Sequence, residues 1–316
     1  MFQKALIRWY QRHKRDLPWR GSADPYRIWI SEIMLQQTRV AAVIPYYERF
    51  LERFPDAQSL AAAPEPEVLT MWAGLGYYSR ARNLQKAARQ IVEAGGFPRT
   101  YAEIRALAGV GDYTAAAVAS IAFGLPYAVL DGNVMRVLSR LGNDFSDIGS
   151  SKTKQRFQDK AQELLDRKRP SLFNQALMEL GATICLPRNP QCLLCPLSGG
   201  CEARSRGTQD QLPVKARRSQ TVKMERTVLI MERKGKLLLW QRKGFWELPE
   251  PEHFPKACIS APCGAFRHSI MNHQYRFYVA RATVTALPAG FSWLSLKDLH
   301  RFPISTTTRK ALRCLN

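Results

Sequence analysis
Two carboxylates, two glycine-bearing turns and four crowded cysteines are the residues of this chain whose types and spacing can do chemistry. Glu32 stands in an apolar segment from Tyr26 to Thr38, among Ile28, Trp29, Ile33, Met34 and Leu35. Partial burial there raises a carboxyl's pKa, so that it holds a proton near neutral pH and can serve as a general acid. A solvated or ion-paired helical Glu is the plainer alternative. Asp131 follows an apolar run and precedes Gly132, as a carboxylate at a helix mouth or as a simple N-cap. The stretch Leu107-Ala108-Gly109-Val110-Gly111-Asp112-Tyr113-Thr114 leads into an Ala-rich helix. Glycines at 109 and 111 allow a tight turn with positive φ that aims backbone N–H groups outward, which suits a phosphate oxygen; an ordinary helix connection is the alternative. In Trp72-Ala73-Gly74-Leu75-Gly76-Tyr77-Tyr78-Ser79-Arg80-Ala81-Arg82, two glycines flank tyrosines and arginines. That composition fits a wedge pushed into a base stack, or a turn with two half-buried tyrosines. Cys185-x6-Cys192-x2-Cys195-x5-Cys201 is too dense for core thiols and reads as a metal site, holding either zinc or an iron–sulfur cluster.

The elements that must position these groups change in kind along the chain. Asp24-Pro25 is a helix start, an N-cap followed by proline at the first helical position. Tyr46 to Phe54 is an amphipathic helix, and Ser59 to Thr70 a helix broken at Pro64 and Pro66. Ser151 to Arg169 reads as a basic helix and Leu172 to Ile184 as another. After a polar, basic stretch, Glu202 to Lys223, the pattern turns to β. Thr227–Met231, a turn at Lys234-Gly235-Lys236, and Leu237–Trp240 read as a hairpin. Tyr275–Ala282 is a further strand, and Leu296–His300 begins a short helix. The expected architecture is a mostly α-helical N-terminal region, 1–205, a linker, 206–223, and a smaller α+β C-terminal domain, 224–316.

With 316 residues the chain can bury a full core. Its formal net charge of +21 and pI near 10.0 favour a polyanionic partner over a small neutral one. No long apolar span, signal peptide or lipidation motif is apparent, which argues against a membrane role and leads us to expect a cytoplasmic, monomeric protein. Seven cysteines, four of them within 185–201, do not form the framework of a secreted disulfide protein.

The Leu107–Thr114 hairpin with Asp131 resembles the helix-hairpin-helix, Gly/Pro-rich loop and Asp signature of the DNA base-excision glycosylases related to endonuclease III. Ser31-Glu32-Ile33-Met34-Leu35-Gln36-Gln37-Thr38 resembles the catalytic helix of one branch, the MutY-type adenine glycosylases. The cysteine spacing matches the 4Fe-4S loop of both groups. The resemblance covers nearly the whole chain and implies roles for particular residues. Gly109, Val110 and Gly111 would grip a DNA phosphate, although the family usually has Pro where this chain has Ala108. Glu32 would protonate adenine, and Asp131 would stabilise positive charge on the deoxyribose. Tyr113 and Asn133 would line the pocket. Leu75 and Tyr77 would lie against the lesion, with Gln37 and Thr38 supporting the strand opposite the extruded base. Cys185, Cys192, Cys195 and Cys201 would hold a structural 4Fe-4S cluster.

Strand-cleaving relatives carry Lys where this chain has Tyr113, and a phenol cannot form a Schiff base, so hydrolysis without efficient strand scission is expected. With Gly244-Phe245-Trp246-Glu247-Leu248-Pro249, the C-terminal region resembles the Nudix-like domain with which MutY-type enzymes recognise 8-oxoguanine. It has no glutamate-rich hydrolase box. The family's Phe-Ser-His contact segment has its nearest match in Met271-Asn272-His273, which makes Asn272 and His273 candidate lesion contacts. The resemblance thus implies a monofunctional glycosylase acting on duplex DNA with adenine opposite 8-oxoguanine or guanine. Two rivals stand beside it: a thymine- or pyrimidine-directed mismatch glycosylase of the same superfamily, and a catalytically silent iron–sulfur DNA-binding protein.

Overall fold
The computed structural model describes residues 2–216, 222–270, 272–284 and 287–314. They pack as two compact units, one of Met1–Ala61 with Lys86–Arg217, the other of Ala62–Gln85 with Arg218–Asn316. The first unit is helical. Asp24 caps the helix Pro25–Leu35 by accepting from the Tyr26 amide at 2.9 Å, and Pro25 at its first position has no amide to leave unsatisfied. That helix buries Ile28, Trp29, Ile30, Ile33 and Met34 and packs against the helix Asp112–Phe123. The latter is buried on nearly every face from Thr114 to Ser120, which its run of alanines permits by letting neighbours approach closely. The helices Phe2–His13, Gly132–Leu141 and Pro170–Thr183 complete the core around Leu6, Ile7, Val137, Phe173, Leu177 and Leu180. Gly181 sits where the last two cross: a Cβ there would lie 2.7 Å from the Asn133 Cβ and 3.0 Å from its carbonyl oxygen.

The second unit contains two sheets. In one, His273–Thr283 is the central strand, parallel to Val222–Ile230 and antiparallel to Cys258–Ile270. In the other, Lys236–Arg242 pairs with Glu232–Arg233, Phe245–Glu247 and Phe291–Ser295. Val228, Ile230, Phe277 and Val279 pack on one side with Leu237, Leu239, Ile304 and Ala311. Leu229, Ala280 and Ala282 pack on the other with Met231, Leu238 and Phe254. A helix, Thr306–Arg313, docks on the Cys258–Ile270 strand.

Several sequence expectations change. Thr227–Met231 does not form its hairpin with Leu237–Trp240; the strand runs parallel to His273–Thr283 from Val222↔His273 to Ile230↔Arg281, and only Met231–Arg233 turns back on Lys236–Leu238. The helix expected from Tyr46 begins at Val40 and carries Pro45 within it. The basic helix stops at Leu164 rather than Arg169. Ser59–Thr70 divides into Ala57–Ala62 and Glu65–Trp72, as the prolines suggest. Residues 62–85, expected in the helical region, pack with the C-terminal sheets. The 206–216 part of the expected linker lies on the first unit: Arg140 donates to the Leu212 carbonyl, and the Ile148 amide to that of Val214. Residues 217–221 of that linker lie outside the described residues. Among the described residues no helix is long and apolar enough to cross a membrane.

Candidate active site
A cavity of about 500 Å³ in the first unit brings together Glu32, Tyr113, Asp131 and Asn133, with Gln37 and Thr38 at its lining. They reach it from three places: Glu32 from one helix, Tyr113 from the start of a second, and Asp131 with Asn133 from the start of a third. Glu32 projects from the buried face of Pro25–Leu35 and is only 6% exposed. Tyr113 is the second residue of Asp112–Phe123, and its hydroxyl donates to Glu32 Oε2 at 2.7 Å and lies 3.3 Å from Met178 Sδ. Asp131 caps Gly132–Leu141, with Oδ1 accepting from the Val134 amide at 2.7 Å and Oδ2 from Asn133 Nδ2 at 2.9 Å. The N-cap and helix-mouth readings of Asp131 therefore both hold. Arg136 extends the chain of contacts, donating to Asn133 Oδ1 at 2.8 Å and to the carbonyls of Gly181 and Cys185.

Burial raises both acids. Burial pushes the Glu32 carboxyl up from 4.5 to about 7; the Asp131 charge pushes the same way, and the Tyr113 hydrogen bond and Arg20 oppose it. Near neutral pH the group is therefore divided between its acid and carboxylate forms. Burial also raises Asp131, but its two amide donors, Asn133 and Arg136 stabilise the carboxylate. The Tyr113 phenol is held far above its ordinary value by burial and by Glu32, so it stays a proton donor. The arrangement can thus offer a proton from one carboxyl and negative charge from another to one bound group.

Across from these acids lies a cluster the sequence reading missed. Glu179 accepts from Arg15 Nη2 at 2.7 Å and Arg20 Nη2 at 2.6 Å, its side chain fully buried. These hydrogen bonds outweigh the cost of burial and hold its carboxyl down at about 2. Arg15, Arg20, Met178 and Glu179 all line the cavity. Gln36, which ends the Glu32 helix, ties it to the Tyr113 helix by donating to Thr114 Oγ1 at 3.3 Å. Partners some 160 residues apart leave no local signal.

The hairpin runs from the helix Tyr101–Ala106 through a turn to Gly111, which caps Asp112–Phe123. Gly109 has φ +75° as expected, whereas Gly111 is extended at φ −95°. The glycine at 111 is thus not required for a positive φ, and open space lies where its Cβ would be. The Val110 amide is used inside the turn, donating to the Leu107 carbonyl at 3.1 Å, so Val110 contributes a buried apolar side chain rather than a free donor.

Residues 30–163 match the sequence signature of the HhH-GPD superfamily of base excision DNA repair proteins. The adenine DNA glycosylase of Homo sapiens is 36% identical over 99% of this chain and 73% of that protein. The chain belongs to the adenine DNA glycosylase family. The adenine DNA glycosylase of Buchnera aphidicola subsp. Baizongia pistaciae is 38% identical over 78% of this chain and 72% of its own. Among solved structures, a thermostable thymine-DNA glycosylase has a TM-score of 0.58 at 31% identity, covering 65% of this chain and 95% of that one. An endonuclease III–DNA complex has a TM-score of 0.56 at 25% identity, covering 66% and 95%.

For a member of this family the remaining candidates fall in three places. Cys185, Cys192, Cys195 and Cys201 line one small cavity with Arg140, Arg204 and Gln209. Arg140 donates to Cys185 Sγ at 3.2 Å, and Gln209 Oε1 is buried there with no partner among the described residues. No three His, Cys, Asp or Glu among the described residues converge to hold a single metal ion. Four soft sulfur donors around a void suit a polynuclear iron–sulfur group, whose thiolates stand farther apart than those of one tetrahedral zinc. Leu75 and Tyr77 lie in the second unit, Leu75 buried and Tyr77 half exposed at φ +49°. Asn272 and His273 are there too, Asn272 exposed at the turn between the Cys258–Ile270 and His273–Thr283 strands. Met271 lies outside the described residues.

Proposed function
We propose that this chain removes adenine paired with 8-oxoguanine or guanine in duplex DNA, hydrolysing the N-glycosidic bond without cutting the strand. The observation that carries this reading is the pairing of Glu32, a buried carboxyl raised to about 7 and hydrogen-bonded to Tyr113, with Asp131 in one cavity. A purine leaves poorly as an anion, and a proton delivered by Glu32 lets it depart neutral. As the bond from sugar to base breaks, its electron pair goes to the base, and Asp131 faces the oxocarbenium-like deoxyribose. Water then bonds to the sugar carbon, and the proton it loses returns to the ionised Glu32. The Asn133 amide and the Val134 N–H favour the carboxylate form of Asp131 against its burial and aim it.

Reaching that cavity requires the nucleotide to leave the stack. Tyr77 acts as the wedge with Leu75 beside it, Gln37 and Thr38 support the opposite strand, and the Gly109–Val110–Gly111 turn holds a phosphate. The net charge of +21 supports polyanion binding. Asn272, with a side-chain amide that both donates and accepts, and His273 read the oxidised guanine from a Nudix-like domain. Cys185, Cys192, Cys195 and Cys201 hold a 4Fe-4S cluster that fixes the 185–201 loop; the chemistry it supplies is structural, and no step of base removal passes through it.

The test is a single-turnover reaction of purified protein with A·8-oxoguanine, A·G and T·G duplexes, each followed by alkali, with iron content measured on the same sample. Expected are cleavage of the two adenine duplexes only after alkali, and about four irons per chain if four thiolates hold the cluster. Thymine release from T·G with adenine untouched would establish the thymine-directed alternative, which the 31% identity to a thymine-DNA glycosylase structure keeps in view. Tight duplex binding with no product would leave a silent binding protein.

A further inference from the structure
The turn carrying Tyr77 is fastened to the C-terminal sheets, although it lies far from them in sequence. Tyr78 packs against Phe245 with ring centres 3.9 Å apart and planes tilted by 39°, and its hydroxyl lies 3.1 Å from Thr306 Oγ1. Arg82 donates to the Lys243 carbonyl, pairs with Glu65 at 2.8 Å and lies over the Phe245 ring. Gly244 has φ +79°, and a Cβ there would come within 3.1 Å of Arg82 and 3.3 Å of Leu69. On the turn itself, Arg80 donates to the Leu75 and Gly76 carbonyls while the Trp72 indole donates to Gly76. The path continues to the Asn272 hairpin. Thr306 begins the Thr306–Arg313 helix, whose Lys310 donates to the Arg267 carbonyl at 3.0 Å on the strand Cys258–Ile270. A Cβ at Gly264 in that strand would lie 2.7 Å from the Cys314 Cβ.

We propose that Tyr78 and Arg82 are positioning residues that lock the Tyr77 turn to the Lys243–Phe245 turn and the Thr306 helix, so that the domain bearing Asn272 sets the pose of the wedge. The inference rests on the reading of Tyr77 as the wedge given above. It makes base extrusion, rather than bond breaking, the step that depends on the C-terminal domain.

Two substrates separate these steps: adenine opposite 8-oxoguanine, which must be extruded, and adenine opposite an abasic analogue, which has no pairing partner. Phe245→Ala is expected to slow single-turnover cleavage of the first about tenfold, equivalent to roughly 1.4 kcal/mol, and to leave the second within about twofold. Should Phe245→Ala fail to fold, Tyr78→Phe and Thr306→Val supply the same test. Each slows only the paired substrate, and the double variant is no slower than either alone. Equal slowing of both substrates, or of neither, overturns the proposal. Tyr77→Ala is the control: if it spares the paired substrate the wedge reading itself fails, whereas slowing by Tyr77→Ala alone removes only the lock.

Discussion
Replacing Glu32 by Gln exchanges a titrating carboxyl for a neutral group of nearly the same shape, which can still accept from Tyr113. In the folded chain burial raises the carboxyl from 4.5 to about 7. At about 1.4 kcal/mol for each tenfold change in proton affinity, holding the ionised form in the cavity costs about 3 kcal/mol. The sign follows from which state keeps the proton. Below the ordinary carboxylate range both folded and unfolded chains are protonated and the cost is absent. As pH rises the unfolded chain ionises first, and stability falls until pH passes about 7. Glu32→Gln has no such loss, so its stability relative to the natural chain should climb by about 3 kcal/mol between pH 4.5 and 8. Asp131 titrates in both chains and largely cancels in the difference. Urea unfolding at a series of pH values measures it, and base release from A·8-oxoguanine should be abolished in the same preparation. A stability difference that stays flat across this range would refute the argument that burial sets the proton affinity of Glu32.

Three further outcomes test other contacts. Asp131→Asn keeps a side chain that caps helices as well as Asp does, so thermal unfolding should stay unchanged while single-turnover base release falls at least about a hundredfold; near-normal release would reduce Asp131 to a cap. Glu179→Gln leaves Arg15 and Arg20 facing a neutral partner and should cost about 3 kcal/mol at neutral pH. The penalty should shrink as pH is lowered towards 2, where the natural carboxyl itself protonates; denaturation midpoints that do not move would argue against it. Gly181→Ala drives a methyl group into Asn133 and should cost about 1–3 kcal/mol while lowering base release further than the melting shift explains, because Asn133 holds Asp131. A variant with natural rate and melting temperature would show that the crossing has room.

The groups legible in the sequence were those whose surroundings are local. Glu32 stood out as a charge in an apolar helix, Asp131 by its place before Gly132, and the hairpin by its glycines. That Glu32, Tyr113, Asp131 and Asn133 share one cavity required the resemblance, since composition says nothing of which helices cross. Glu179 was silent because its partners, Arg15 and Arg20, are far away in the chain and look like ordinary surface cations. The strand Thr227–Met231 misled for a related reason. A Lys-Gly turn is a strong local hairpin signal, while the parallel partner lies some fifty residues on. Because both faces of that strand are buried it reads as a continuous apolar run, with no alternation to show which neighbour it takes. Gly111 taught a smaller lesson: glycine there marks open space at a helix start, not a left-handed backbone.

The division of this chain is discontinuous, with residues 62–85 belonging to the sheets that follow 218. Cutting near 217 would therefore not release a tidy enzyme body from an accessory one. The amino-terminal piece would carry away Leu69, Tyr78 and Arg82 stripped of Phe245, Lys243 and Thr306, an apolar scar in the middle of its own length. Fragments of this enzyme should be judged by that scar before any lost activity is ascribed to missing lesion recognition.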